Sequence, residues 1–246
     1  MNAPGHDPAI EGNRLLSALV AEDRERLLGV GEIVLLTQKQ TIYEPNAPQT
    51  HVYFPGECVI SLITMFNDGG AVEVGTIGCE GMAGLPLFLD ATSAPVLVMV
   101  QLPGNALRVE AAEFTALVQH SPRARATMGR YAQAFLSQVL QTAACNGHHQ
   151  IVPRCARWLL MTHDRVGAQQ FALTHELLAY MLGVRRAGVT EAAGELQQAG
   201  YIRYGRGRVE IVDRAGLESA ACECYGTVRK VYEELVGTSN EKSSVR

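Results

Sequence analysis

The sequence predicts an α+β chain in three sections: a β-rich roll, one long helix, and a compact helical unit that closes on a hairpin. Three observations carry this. From Glu32 to Val109 short β-branched runs alternate with Pro and Gly turns. From Pro122 to Asn146 apolar residues recur at three- and four-residue steps. Beyond Ile151 helical segments are split by a glycine and followed by an alternating stretch around Gly205-Arg206-Gly207.

The elements follow in order. Asn13 can cap a helix to Leu28, with Leu15, Leu16, Leu19 and Val20 at helical spacing. The roll is built from Gly31–Thr37, Thr50–Phe54, Cys58–Ile63, Val72–Ile77 and Val96–Val100, with turns at Pro45, Pro48, Pro55-Gly56, Asp68-Gly69-Gly70 and Pro103-Gly104. A short helix over Glu110–Val118 precedes Ser121-Pro122, an N-cap and first-turn proline. The long helix to Asn146, about 37 Å at ~1.5 Å per residue, places Met128, Tyr131, Phe135, Gln138, Thr142 and Cys145 in a coiled-coil seam, with Val139 alongside, and Gly147 is expected to end it. Such a helix needs partners on more than one side: one face can cover the roll and the other meet a second copy, with Met128, Tyr131, Phe135, Gln138, Val139 and Thr142 as the expected dimer contacts. The alternative is a long helix packed only within its own chain. Three units result: 1–118, 119–147 and 148–246.

The 246-residue chain is 47% apolar and 19% charged, which excludes disordered, collagen-like and disulfide-scaffold classes. Its longest apolar stretch, Ala94–Leu102, is broken by Pro95 and Gln101 and falls far short of the ~20 residues of a membrane helix. Met1–Glu11 lacks the basic start and apolar run of a secretory leader, so the expected location is the cytoplasm, with no membrane partner. The net charge is −4, but Ile151–Arg214 holds nine arginines against six acids, a local excess that hints at a polyanion partner.

That third section has the grammar of a winged helix-turn-helix. Pro153–Met161 reads as a first helix. Thr174 caps the next, which buries Leu177, Leu178 and Met181, and Gly183 makes the turn. The following helix buries Val189, Ala192, Ala193 and Leu196, leaving Arg185, Arg186, Gly188, Thr190 and Glu191 outward near its start, the end that enters a major groove. Arg suits guanine O6 and N7, Thr offers a hydroxyl or methyl, and Glu accepts from cytosine N4. Arg206 and Arg208, with Arg203, place wing charges beside phosphates. Thr174 and His175, at the start of the supporting helix, complete the expected set of DNA contacts.

On these residues the chain resembles the Crp/Fnr superfamily of bacterial transcription regulators: in order of elements over roughly residues 10 to 215, and in sequence at Arg154-x-Ala156-x-x-Leu159-Leu160, at Thr174–Glu191 and at Leu196-x-x-x-Gly200-Tyr201-Ile202. The resemblance implies a cyclic-nucleotide-binding-like roll, a dimerisation helix, double-stranded DNA as partner, and RNA polymerase as a further partner if the protein activates. Departures accompany it. Arg186 stands at the family's first recognition Arg, but Ala187 replaces its Glu and Glu191 its second Arg, so a different half-site is expected. Cyclic-nucleotide binders of the family use a Glu and an Arg-Ser pair where this chain has Gly84 and Ala94-Pro95, and no arginine lies between Arg26 and Arg108. Cyclic AMP is therefore not the expected effector. Another small molecule, with Gly81, Met82, Ala83, Gly84, Leu85, Ser93, Tyr131 and Phe135 as walls, is left open, beside a packed roll without ligand.

Rival classes are weaker. The six cysteines contain no C-x-x-C pair and none precedes Cys58, against a zinc ribbon or an N-terminal iron–sulfur cluster. Cys222-Glu223-Cys224 with Cys145 or His148-His149 could serve a metal- or redox-responsive regulator, but the spacing is unspecific, and no metal or cofactor is expected. His51 is the only histidine of the roll, too few for a cupin-type enzyme, and no nucleophile elbow, P-loop or dinucleotide fingerprint occurs. A non-enzyme is expected. A dimeric interaction module that has lost DNA binding is the other alternative.

Overall fold

The computed structural model describes residues 10 and 12–237; the Met1–Glu11 stretch, Ile10 apart, and residues 238–246 lie outside it. Two short helices, α1 (Arg14–Ser17) and α2 (Ala21–Val30), replace the single helix expected to Leu28. The Asn13 side chain accepts from Leu16 N to cap α1, and its amide donates to the carbonyls of Pro55 and Gly81. The cap thus anchors the segment to the roll, and the chain must bend at Val20, whose backbone is extended, before α2 can lie alongside.

The roll consists of β1 (Glu32–Leu36), β2 (Thr41–Tyr43), β3 (His51–Pro55), β4 (Val59–Met65), β5 (Ala71–Ile77), β6 (Leu97–Leu102) and β7 (Gly104–Glu110), with the short helix α3 (Leu85–Phe88) between β5 and β6. They pair antiparallel in two sheets, ordered β1-β7-β3 and β2-β6-β4-β5. The expected runs omit β2, which has only three residues, and β7, which begins directly after the Pro103 turn. Leu36, Val52, Phe54, Ile60, Val100 and Leu107 fill the interior.

Helix α4 (Ala111–His120) leads to α5 (Pro122–His148), where Ser121 accepts from Ala124 N as N-cap. Gly147 does not end α5; the helix runs one residue further and is capped by His149. The seam assigned to a second copy is a correction in kind: Met128, Tyr131, Phe135 and Gln138 are buried against the roll of their own chain. Tyr131 Oη donates to the Met82 carbonyl at 2.8 Å, and Gln138 Nε2 donates to the Thr76 carbonyl at 2.8 Å. Val139 packs half-buried on the same core, and Thr142 borders a small cavity at its edge. A three-four apolar period marks a buried face without saying whose surface buries it.

The expected effector walls are also packed. Met82, Ala83 and Tyr131 are almost wholly buried, and a Cβ on Gly81 would lie 2.3 Å from the Tyr131 ring. Gly84 has φ +115°, and a Cβ there would meet Val52 at 2.7 Å. Phe135 lies against Gly75, Leu85 opens α3, and Ser93 is half-buried in the loop before β6. The Tyr131 ring and Val52 thus take up the space beside Gly81 and Gly84.

The last section comprises α6 (Ile151–Val166), β8 (Gln170–Ala172), α7 (His175–Leu182), α8 (Arg186–Gln198), β9 (Ile202–Gly205), β10 (Arg208–Ile211), α9 (Arg214–Ala220) and α10 (Cys224–Leu235). Its core, with Trp158, Leu159, Leu178, Val189, Leu196 and Val209, is continuous with Val59, Ile63 and Leu102 of the roll. Helix α10 returns along α5, putting Val228, Tyr232 and Val236 into the roll's own core.

Candidate nucleic-acid interface

The reading head is built from local rules. Thr174 Oγ1 accepts from Leu177 N at 3.1 Å to start α7, and Gly183, at φ +61°, supplies the left-handed residue that ends it. Arg185 is the N-cap position of α8, and Val189, Ala192, Ala193 and Leu196 are buried as their spacing requires. Arg185, Arg186, Thr190 and Glu191 are exposed, while Gly188 is partly covered, with Ile151 where a Cβ would stand at 3.0 Å. Strands β8, β10 and β9 form the wing. Its tip turns on Arg206 and Gly207, at φ +51° and +71°, two successive positive-φ residues as a tight hairpin turn needs.

Two expected contact residues are engaged internally. Thr190 Oγ1 donates to the Arg186 carbonyl at 3.1 Å and so accepts from His175 Nδ1 at 3.0 Å, which places the imidazole proton on Nδ1. His175 also stacks on Tyr204 of β9, ring centroids 4.4 Å apart, and the Tyr204 hydroxyl donates to the Leu173 carbonyl at 2.8 Å. Burial, and then the Arg186 charge, hold the His175 pKa below its ordinary value. His175 is thus a neutral strut joining α7, α8 and the wing.

The arginines divide sharply. Arg154, Arg157 and Arg165 of α6 are buried, and Arg154 donates to the Leu182 carbonyl at the end of α7. Arg214 pairs with Asp164 and Glu218, and Arg203 pairs with Glu210 at 2.6 Å. Arg185, Arg186, Arg206 and Arg208 alone of the nine are exposed with no ion pair among the described residues. The basic excess therefore overstates the charge available to a polyanion. An open groove of about 620 Å³ separates Arg185 and Arg186 from the β4–β5 hairpin at Phe66, Asp68 and Gly70–Val72.

Behind the reading head is a buried polar junction that sequence reasoning missed. Arg165 reaches from α6 into the roll and donates to Glu80 at 2.7 and 2.9 Å and to Gln138 Oε1 at 3.0 Å. Gly78 makes room, since a Cβ there would stand 2.5 Å from the Arg165 stem. Burial raises the Glu80 pKa, but the Arg165 charge and hydrogen bonds outweigh it and hold the carboxyl below its ordinary range. Trp158 Nε1 donates to Glu73 at 3.1 Å, and Ser61 Oγ lies 2.6 Å from the other Glu73 oxygen. Burial pushes that carboxyl up to about 7. The available signal was one acid inside a strand-like run, Glu73, and one in the turn just beyond it, Glu80, positions that a pattern of solvent-facing residues absorbs.

A roll, a long helix and a winged helix-turn-helix follow one another in this order, the arrangement of elements in a Crp/Fnr-like fold. Residues 153–220 match the Crp-like helix-turn-helix domain, so the chain carries that domain. The transcriptional regulator SdrP of Thermus thermophilus is 38% identical over 61 residues, 25% of this chain and 30% of SdrP; the match thus spans under a third of that relative. Among solved structures, FixK2 of Bradyrhizobium japonicum is similar with a TM-score of 0.68 at 16% identity, over 78% of this chain and 98% of that one. The c-di-GMP-responsive global regulator CLP of Xanthomonas campestris aligns at 0.63 with 18% identity, over 78% and 98%. These likenesses show the fold. No helix among the described residues is long and apolar enough to cross a membrane.

Proposed function

We propose that the chain is a homodimeric, cytoplasmic, sequence-specific DNA-binding transcription regulator, with a sensor unit over 1–118, a dimerisation helix over 119–147 and a DNA-binding unit over 148–246. The observation that carries this is the exposed face at the start of α8, Arg185, Arg186, Thr190 and Glu191, flanked by the wing charges Arg206 and Arg208. Arg186 and Glu191 read base edges, and Arg206 and Arg208 hold phosphates. The Thr190 hydroxyl is committed to His175 and Arg186, so its methyl is the group left for a thymine.

The partner face of α5 is its outer stripe. Gly129, Gln133, Leu136, Leu140, Ala143 and Gly147 recur at alternating four- and three-residue steps. Leu136 and Leu140, one turn apart on this stripe, are 50% and 61% exposed and form an apolar patch. Paired along this stripe, two chains present their α8 helices to successive major grooves about 34 Å apart on a two-fold-related site. The roll does not take cyclic AMP in this reading: the arginine a buried phosphodiester requires is absent from residues 27–107, and Tyr131 and Phe135 pack against Gly81 and Gly75.

The test is enrichment of a binding site from randomised duplexes at two salt concentrations, with Arg185→Ala/Arg186→Ala as control and sedimentation of Leu136→Glu/Leu140→Glu alongside. A two-fold-symmetric site lost in the first variant, and a monomer in the second, support the proposal. No enrichment by the dimer under any added effector or metal would replace it with the interaction-module reading.

A further inference from the structure

The structure brings together four residues that lie far apart in the chain. Cys145 sits in the last turn of α5, His149 is that helix's C-cap, Cys222 lies in the link between α9 and α10, and Cys224 opens α10. Their ligand atoms all lie within 4.8 Å of one another. We propose that Cys145, His149, Cys222 and Cys224 form a Cys3His site for a thiophilic divalent ion of the zinc class, fastening the end of the long helix to the C-terminal part of the DNA-binding unit.

The distances suit such an ion. With Zn–S near 2.3 Å and Zn–N near 2.0 Å, tetrahedral coordination separates two sulfurs by about 3.8 Å and a sulfur from a nitrogen by about 3.6 Å. The observed Cys145 Sγ to Cys222 Sγ distance is 3.6 Å, and Cys224 Sγ to His149 Nδ1 is 3.7 Å. The remaining pairs lie within 4.8 Å, so coordination would draw them together by up to about 1 Å.

The outer groups suit it as well. His149 turns Nδ1 to the sulfurs and Nε2 to the Glu223 carboxylate at 3.2 Å, the carboxylate–histidine relay that orients metal-bound imidazoles. Gln141 Nε2 lies 3.0 Å from Cys224 Sγ, a donor placed for a thiolate. The three buried cysteines pack on one another as a cluster separate from both apolar cores.

A thiol-based redox sensor fits less well. A reactive cysteine needs a lowered pKa and solvent access. Cys145 is fully buried and Cys222 nearly so, which leaves an oxidant little access to either sulfur.

The site is also a joint. Cys222 N donates to the Pro153 carbonyl in the first turn of α6, so the ion would link α5, α6 and α10 at one point. Loading would then fix the angle between the α5 helix and the reading head. This consequence rests on the DNA-binding reading above; the metal site itself does not.

The experiment uses the full chain, reduced and stripped of metal, titrated with Co²⁺ and then Zn²⁺. Expected are one ion per chain, thiolate-to-cobalt charge transfer with the visible bands of a tetrahedral site, and displacement of cobalt by zinc. Zinc should protect three of the six cysteines from a thiol reagent. Cys222→Ser should abolish the charge-transfer signal or remove one thiolate from it. His149→Ala, at the rim of the cluster, tests the site with a fold that circular dichroism verifies, and Glu223→Gln should weaken binding about 10-fold. Absence of a saturable one-to-one spectrum would overturn the site. So would equal binding by His149→Ala and Cys222→Ser, or closure of a Cys145–Cys222 disulfide by mild oxidant in a chain that takes up no metal when reduced. Metal binding that leaves DNA affinity unchanged would uphold the site and overturn its regulatory role.

Discussion

Glu73→Gln tests the polar junction between roll and reading head most directly. Glu73 is 5% exposed, with one oxygen accepting from Trp158 Nε1 and the other 2.6 Å from Ser61 Oγ. Ser61 Oγ is also 2.9 Å from Gln101 Oε1, and its single proton cannot serve both acceptors. Two proton arrangements fit these heavy atoms. In one, a neutral Glu73 donates to Ser61, which donates to Gln101. In the other, the Gln101 amide is turned, its nitrogen donates to Ser61, and Ser61 donates to a charged Glu73. Burial, which lifts the carboxyl from 4.5 to about 7 against the pull of Ser61, Trp158, Arg165 and Arg157, favours the first. The folded state then holds a proton between pH 4.5 and 7 that the unfolded chain has released. Its stabilisation is complete below 4.5 and is lost as pH rises through 7. At about 1.4 kcal/mol per pH unit, the loss is about 3 kcal/mol. Glutamine is a neutral isostere that does not titrate, so denaturant unfolding of both proteins from pH 4 to 8 isolates this one group. Relative to wild type, the variant should gain about 3 kcal/mol across that window. A difference constant with pH would refute the neutral assignment and select the turned Gln101.

Other expectations follow from the same geometry. Arg165→Met strands the buried Glu80 carboxylate and should cost about 3–5 kcal/mol in denaturant unfolding, most of it recovered in Glu80→Leu/Arg165→Met. Gly81→Ala drives a methyl into the fixed Tyr131 ring and should cost about 1–3 kcal/mol, read as a lowered midpoint at unchanged slope. In DNA titrations Arg186→Ala should cost about 1–3 kcal/mol and relax preference at one base pair of each half-site, while Arg206→Ala should weaken all sequences alike. Equal loss on every sequence for both variants would refute that division of labour.

What was legible in the sequence was whatever one strand or helix decides alone. The Thr174 cap, the Gly183 turn, the inward set Val189, Ala192, Ala193 and Leu196, and the Arg206-Gly207 tip all stand where local chemistry puts them. Features that need two distant segments were not legible. Tyr131 and Phe135 carry the same period whether they meet a partner or their own roll. Glu80 and Arg165 are 85 residues apart, as are Glu73 and Trp158. Cys145 and Cys222 are 77 apart, so the four ligand candidates could be named from sequence but not assembled.

The arginine placement also limits the salt dependence of DNA binding. Protein that neutralises Z phosphates shows a slope of log affinity against log salt of about −0.9Z. Counting all nine arginines of residues 151–214 in a dimer implies a slope near −16, on the order of −0.9 per charge. Of those nine, only Arg185, Arg186, Arg206 and Arg208 are exposed and unpaired among the described residues, which limits the share of the nine to about −7 for the proposed dimer, and each wing substitution should remove about 2 of it. The three arginines of α6 add nothing in this fold, because Arg154, Arg157 and Arg165 are buried. A measured slope much steeper than −7 that Arg165→Met leaves unchanged would place the extra phosphate contacts outside the helix-turn-helix unit. A steep slope that flattens in Arg165→Met would mean that the reading head leaves the roll when it binds, exposing charge that the DNA-free fold keeps buried.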